Sequence, residues 1–393
     1  MTGKEENFQL QTRVNRLGRH PDRQEGFING PIYRGSTTLY KKYSDVEGMK
    51  TRYFYGTEGN PTVSNLIEAW NALTGAAGSV ILPSGLGAIT MAFMTVVKAG
   101  DTILVSDSVY LPTRTYCRDF LEKMGVNVVY YDPMITADQL RDLLATHPNT
   151  SLLFMESPGS QTFEIQDVPS LTAVCREKDI CSIIDNTWGT PIFFDALGKG
   201  CDISLEAGTK YLGGHSDLLL GLVAANEKWY PKLRKMYDCF SMTPGNEDCF
   251  LALRGLRTMH LRLKEAERRG MEMANWLKSR DEVLRIIHPA FPESPGHKFW
   301  KRDFTGSAGL FAIIIKPQYT KDKVEKMVDH MSIFGLGYSW GGFESLLMIY
   351  DCSTYRTATT FNPGGVLLRI QVGLEDMDDL KRDIADGFER MKC

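Results

Sequence analysis

The stretches "EAGTKYLGGHSD", "SIIDNTW", "DTILVSDSVY" and "PSGLGAIT" carry the residues whose chemistry goes beyond packing: Lys210, Asp185, Tyr110 and the Gly85-Leu86-Gly87 turn. A lysine among small and apolar neighbours is either a surface ammonium lying over a turn or a buried amine whose lowered pKa makes it a nucleophile. Asp185 closes an apolar run, where a carboxylate either caps the next turn or pairs with a protonated ring nitrogen. Tyr110 is either a rim aromatic or a ring that stacks on a planar ligand. A glycine turn opening a helix presents N–H groups and a helix dipole to a phosphate, or merely packs helix on strand. The same glycines begin a dinucleotide fingerprint, with Asp107 at the end of the following strand, but Thr90 stands where that fingerprint has its third small residue.

Short apolar runs alternating with amphipathic stretches place these residues. "SVILPSG" reads as a strand, "LGAITMAFMTVVKAG" as a helix ending at Gly100, "DTILVSD" as a strand and "TRTYCRDFLEKMG" as one helix closed by Gly125. "VNVVYYD", "TADQLRDLLATH", "SLLFMES", "PSLTAVCREKD" and "CSIIDN" continue the alternation, which predicts βαβ units and a largely parallel sheet covered on both faces. The lysine motif connects two further apolar runs, so Lys210 falls near a strand end, on the edge where such sheets bind ligands. A long amphipathic stretch from about Asp248 to Lys278 can bridge two domains. Beyond it, "GLFAIIIKP" and "VLLRIQVG" read as strands, and "KDKVEKMVDHMSIF" and "MDDLKRDIADGFERM" as helices of a smaller α/β domain. The first 60 or so residues lack clear periodicity and read as an extended arm packing on something, such as a neighbouring subunit.

A phosphate-binding turn, an aromatic ring, a carboxylate and a lysine, all at carboxyl ends of strands in one sheet, are the set that pyridoxal 5'-phosphate (PLP) needs: a cradle, a stacking ring, a partner for the pyridinium nitrogen and a Schiff-base lysine. A nicotinamide cofactor leaves Lys210 and Asp185 without a role.

The motifs "PSGLGAIT", "ESPGS", "DNTW" and "TKYLGGHSD" resemble those of the transsulfuration, or Cys/Met metabolism, branch of fold type I PLP enzymes. "HKFWKRDFTGSAGLF", "GYSWGGFESL" and "LLRIQVGLEDMDDL" carry the resemblance through the C-terminal region and are similar to the β-lyases of that branch. The resemblance implies a PLP-dependent transferase-like α/β fold with an arm over 1–60 that serves a neighbouring subunit, a large PLP-binding domain over 61–250 and a small domain over 251–393. It implies catalytic roles for Lys210, Tyr110 and Tyr55, with Lys210 joined to the cofactor, Asp185 on the pyridine nitrogen and Tyr110 stacked on the ring. Gly85, Leu86 and Thr209 would hold the phosphate, and Thr187 would add a cofactor contact. Ser339, Trp340 and Arg369 would bind substrate, Arg369 because its planar fork pairs with a carboxylate. Tyr55 would reach the site of another subunit in a homotetramer. The implied reaction is carbon–sulfur β-elimination on cystathionine, giving homocysteine, pyruvate and ammonia in methionine biosynthesis, with other cysteine S-conjugates as further substrates.

Trp340 and Ser160 in "ESPGS" favour β- over γ-elimination, the γ-lyase and γ-synthase activities being the alternative. Two departures from the family pattern motivate a third reading, a catalytically silent homologue. Thr57 in "FYGTEGNPT" occupies the position of an arginine that reaches a neighbour's cofactor phosphate, with Arg52 the nearby cation that could replace it. Ala207 takes a serine's place before the lysine.

Composition sets the outer bounds. The 393 residues are 43% hydrophobic and 24% charged with net charge -3, which gives no electrostatic reason to expect nucleic acid or an acidic membrane surface. No signal-peptide core and no run of about 18 apolar residues occurs, so the expected location is the cytoplasm. The 8 cysteines contain no CxxC pair and the 7 histidines no HExxH, so neither a disulfide framework nor a metal site is expected.

Overall fold

The computed structural model describes residues 8–48 and 51–392; Cys393 and the start of the arm lie outside it. The strands β1 (Gly78–Leu82), β2 (Thr102–Ser106), β3 (Asn127–Tyr131), β4 (Thr150–Glu156), β5 (Cys181–Asp185), β6 (Ile203–Ala207) and β7 (Gly221–Ala225) form one sheet in the order β1-β7-β6-β5-β4-β2-β3. Strands β2 to β6 run parallel, and β7 lies antiparallel to both its neighbours, β1 and β6. Every residue of β1, β2 and β7 is buried, as a sheet covered on both faces requires, which is why these strands read as unbroken apolar runs. The alternation of strands and helices anticipated this α/β architecture, and β7 is where the sheet departs from parallel.

A second sheet follows, built from β8 (Val283–Ile287), β9 (Leu310–Ile315), β10 (Gly335–Leu336), β11 (Leu346–Tyr350) and β12 (Val366–Gln371) in the order β10-β11-β12-β9-β8. The sequence reading found β9 and β12, which are almost wholly buried, and missed β8 and β10, which carry exposed positions, and β11, which is mostly half-buried. The Asn246–Lys278 helix joins the two sheets. Its buried positions Cys249, Ala252, Leu256, Met259 and Leu263 follow the three-and-four spacing of one helix face. The N-terminal part of this helix packs on the Pro61–Thr74 helix and its later part on β8 and β9, so it crosses the 250/251 division read from the sequence.

Several local readings change. The expected single helix from Thr113 is an α-helix over Leu111–Tyr116 that widens into a π turn over Cys117–Leu121 and tightens before Gly125, which has φ 80°. The helix expected over Lys321 to Phe334 ends at Val328, because the Asp383 carboxylate accepts the N–H groups of Ser332, Ile333 and Phe334 at 2.8, 2.8 and 3.1 Å. The arm is not wholly extended. Its Leu10–Arg16 helix is tied down by Arg13 donating to the Ala72 carbonyl at 2.5 Å and by Arg257 donating to that of Val14 at 2.7 Å. The Pro61–Thr74 helix is announced by Asn60, whose side chain accepts from Thr62 and Val63 N–H, with Pro61 in its first turn.

Candidate active site

Lys210 lies in the turn that leaves the carboxyl end of β6. Its N–H donates to the Ala207 carbonyl at 3.0 Å, and its own carbonyl accepts from Gly214 at 2.7 Å. Thr209 fixes the turn to β7: its hydroxyl accepts from Leu220 N–H at 3.0 Å and donates to Leu220 O at 3.3 Å. The Asn246–Lys278 helix crosses directly beneath. A Cβ on Gly255 would sit 2.2 Å from the Leu212 carbonyl oxygen, so only glycine permits this approach. From two turns further along the same helix, Arg262 donates to the carbonyls of Tyr211 and Leu212 at 2.5 and 3.1 Å. The lysine turn is therefore held from below by a residue the sequence reading did not single out.

The Lys210 ammonium donates to Ser339 Oγ at 3.0 Å and lies 5.3 Å from the centre of the Trp340 ring. Burial, reinforced by the positive charge of Arg369, pulls its pKa down to about 8, against the opposing pull of Asp185 and Glu344. Trp340 is set edge-on to Tyr211 at 5.6 Å, and Gly341, at φ 81°, packs against the lysine turn so closely that a Cβ there would stand 3.1 Å from the Tyr211 backbone nitrogen.

Asp185 ends β5. Thr187 donates to its Oδ1 through both N–H (3.0 Å) and hydroxyl (2.6 Å), while the Thr187 hydroxyl accepts from Ala207 N–H at 2.9 Å. Thr187 thus orients Asp185 and ties it to the strand bearing Lys210. Directly across in register on β4 stands Glu156, which accepts the Tyr110 N–H at 2.6 Å. Burial, and then the charge of Asp185, push the Glu156 carboxyl well above the usual carboxylate range. Asp185 is also raised by burial, but its Thr187 hydrogen bonds and the Lys210 charge pull it back, so Glu156 is the member of the pair that keeps a proton. Glu206, 3% exposed, is pushed up in the same way by burial and Asp185. Neither glutamate was singled out in the sequence; the signal for Glu156 was its place at the end of the apolar run "SLLFMES".

The Gly85–Val96 helix starts where its dipole faces the lysine turn. Ser84 Oγ accepts the Gly87 N–H at 3.0 Å, and the first-turn amides of Gly85 and Leu86 remain for a ligand. A Cβ on Gly85 would stand 2.7 Å from that of Ala207, so a small residue at 207 and a glycine at 85 go together. Arg369, on β12 and 4% exposed, donates to the carbonyls of Gly337, Tyr338 and Ser339 at 3.0, 2.8 and 3.2 Å. One chain thus gathers Lys210, Asp185, Thr187, Thr209, Gly85, Leu86, Tyr110, Ser339, Trp340 and Arg369 at one end of the large sheet. Tyr55 is not among them. It is 52% exposed and, among the described residues, contacts none of this group. Glu58 beside it pairs with Arg234 at 2.9 Å, and Arg52 lies over the Tyr53 ring rather than near the cradle.

The dinucleotide reading does not survive. Strands β1 and β2 are not neighbours in the sheet, and the Asp107 carboxylate is fully buried against Arg114 and Thr357–Thr359.

Residues 11–389 match the family described as Cys/Met metabolism PLP-dependent enzyme. The chain belongs to that family. It is 55% identical over 85% of its length to a Saccharomyces cerevisiae protein provisionally assigned as a cystathionine β-lyase, covering 97% of that protein. It is 36% identical to the cystathionine β-lyase of Escherichia coli, covering 97% of this chain and 98% of that one. Among solved structures, the cystathionine γ-synthase of Xanthomonas oryzae pv. oryzae superposes with TM-score 0.89 at 28% identity, over 98% and 99% of the two chains. The cofactor is therefore PLP, and the donor set fits it: a partly buried amine of lowered pKa, an oriented carboxylate, and a helix N-terminus that can receive a phosphate.

Proposed function

We propose that the protein is a PLP-dependent carbon–sulfur β-lyase that cleaves cystathionine, with other cysteine S-conjugates as further substrates. The observation that carries this is Lys210, partly buried, lowered to a pKa of about 8 and set between Asp185 and Arg369. Bound there, PLP supplies an electron sink for the carbanion formed at Cα. Lys210 Nζ holds the proton that moves at Cα, since an amine titrating near neutrality can both take and return it. Asp185, aligned by Thr187, would set its negative charge against the ring nitrogen. Gly85 and Leu86 N–H would hold the phosphate, joined by Thr209 once its hydroxyl turns from the Leu220 carbonyl. Tyr110, its backbone anchored by Glu156, would cover the ring. Arg369 and Ser339 hold the substrate carboxylate, and Trp340 walls the pocket beside the lysine. Breaking the Cβ–S bond with net addition of water then gives homocysteine, pyruvate and ammonia.

The reading divides the chain into an arm over 1–60, a cofactor-binding unit over 61–250 and a smaller unit over 251–393. It places the protein in the cytoplasm as a homotetramer in which Tyr55 serves a neighbouring subunit's site. The exposed apolar side chains of the arm support that assembly: Phe27, Leu39 and Tyr43 are 73, 88 and 75% exposed. Trp340 and Ser160 favour β- over γ-elimination. Incubation with cystathionine decides: pyruvate and homocysteine support the reading, whereas 2-oxobutyrate and cysteine would replace it with a γ-lyase.

A further inference from the structure

Asp107 takes no part in the reaction above, yet its carboxylate is the most densely contacted in this part of the fold. Thr357, Ala358 and Thr359 donate their N–H groups to it at 3.0, 3.1 and 2.8 Å, and the Thr359 hydroxyl adds a bond of 2.7 Å. Arg114 pairs with the same group and lies 3.7 Å over the Tyr130 ring. Three successive backbone amides closing on one anion form a nest of the kind that holds fixed charge. Here the anion belongs to the large sheet and the nest to the small one. Immediately before the nest, Arg356 pairs with Glu164 at 2.9 Å and donates to the Thr162 hydroxyl, so a second buried ion pair fastens the same segment to the loop after β4.

The fastened segment leads straight to the substrate end of the site. It begins where β11 ends at Tyr350. The Arg369 guanidinium lies 5.1 Å over the Tyr350 ring. Arg369 is thus supported by Tyr350 on one side and by the carbonyls of Gly337 to Ser339 on another.

We propose that Asp107 and Arg356 form a clasp between the two sheets that positions Arg369 for the substrate carboxylate, which makes both of them positioning residues for substrate binding. The proposal rests on the reading that Arg369 binds that carboxylate. Removing the clasp loosens Tyr350 and Arg369 while leaving Lys210, Asp185 and the phosphate cradle in place. The loss therefore falls on substrate affinity and not on the chemical step.

The test uses full-length holoenzyme carrying Asp107→Asn or Thr359→Val. The expected result for Asp107→Asn is amide hydrogen exchange at residues 357–359 at least tenfold faster and a KM for cystathionine raised about tenfold, as the loss of one charge-assisted bond implies. Both kcat and the cofactor absorbance stay within about threefold and unchanged, respectively. Thr359→Val, which removes one hydroxyl, gives a smaller shift in the same two readouts and serves alone if Asp107→Asn does not fold. Unchanged exchange, or faster exchange with unchanged KM, overturns the proposal. Arg369→Lys in the same assay separates the two claims. If it leaves KM unaltered, the carboxylate reading fails, and the exchange data still decide whether the clasp exists.

Discussion

Competitive acylation of cofactor-free enzyme between pH 6 and 11, followed by mass spectrometry of the Lys210 peptide, reads the proton affinity of this amine directly. With a pKa of about 8 it is about 24% neutral at pH 7.5, whereas an ordinary lysine is about 0.1% neutral, so its labelling exceeds that of a surface lysine by roughly 200-fold. Burial is the larger cause and the charge of Arg369 the second, so Arg369→Gln raises the midpoint without restoring the ordinary value of 10.5. Asp185→Asn moves it the other way, because that carboxylate holds the proton on. The same shift governs stability. Between about pH 8 and 10.5 the unfolded chain binds more protons at this site than the folded one, so the contribution of Lys210 rises with pH across that window relative to Lys210→Met. A wild-type midpoint near 10.5, or an Arg369→Gln midpoint that stays put or falls, refutes the reasoning.

Other substitutions probe the remaining parts. Asp185→Asn retains bound cofactor by absorbance and loses about 10²–10³-fold in kcat, as expected when a preorganised charge is removed. Arg369→Lys raises KM about tenfold or more with little change in kcat, because an ammonium cannot reproduce a two-bond fork. Gly85→Ala forces a methyl to within 2.7 Å of Ala207 and costs about 1–3 kcal/mol in thermal unfolding, with weaker cofactor retention on dialysis. Mixing Lys210→Ala and Tyr55→Phe chains, each inactive alone, restores part of the activity after subunit exchange if Tyr55 serves a neighbour's site; no recovery in demonstrably mixed tetramers contradicts that assembly.

Lys210, Asp185 and the Gly85 turn were legible because each closes or follows an apolar run, and strand ends of a parallel sheet share one edge. Arg262 was not, since its guanidinium acts on carbonyls 50 and 51 residues away and nothing in "TMHLRLKE" distinguishes it from a solvated helix residue. The partners of Asp107 were hidden for a similar reason: they lie 250 to 252 residues further along, so nothing near this acid in the sequence shows what it holds. The small sheet was only half visible, because β8 and β11 are partly exposed and alternate too weakly to stand out from their loops. The arm's short helix was hidden because its order comes from contacts with distant helices rather than from its own periodicity.

The most direct test of the central claim is borohydride reduction of the purified holoenzyme followed by mass spectrometry of the tryptic peptides. The account predicts loss of the visible absorbance together with a pyridoxyl adduct on Lys210. A colourless protein that takes up no label when PLP is added, or an adduct on another lysine, contradicts it.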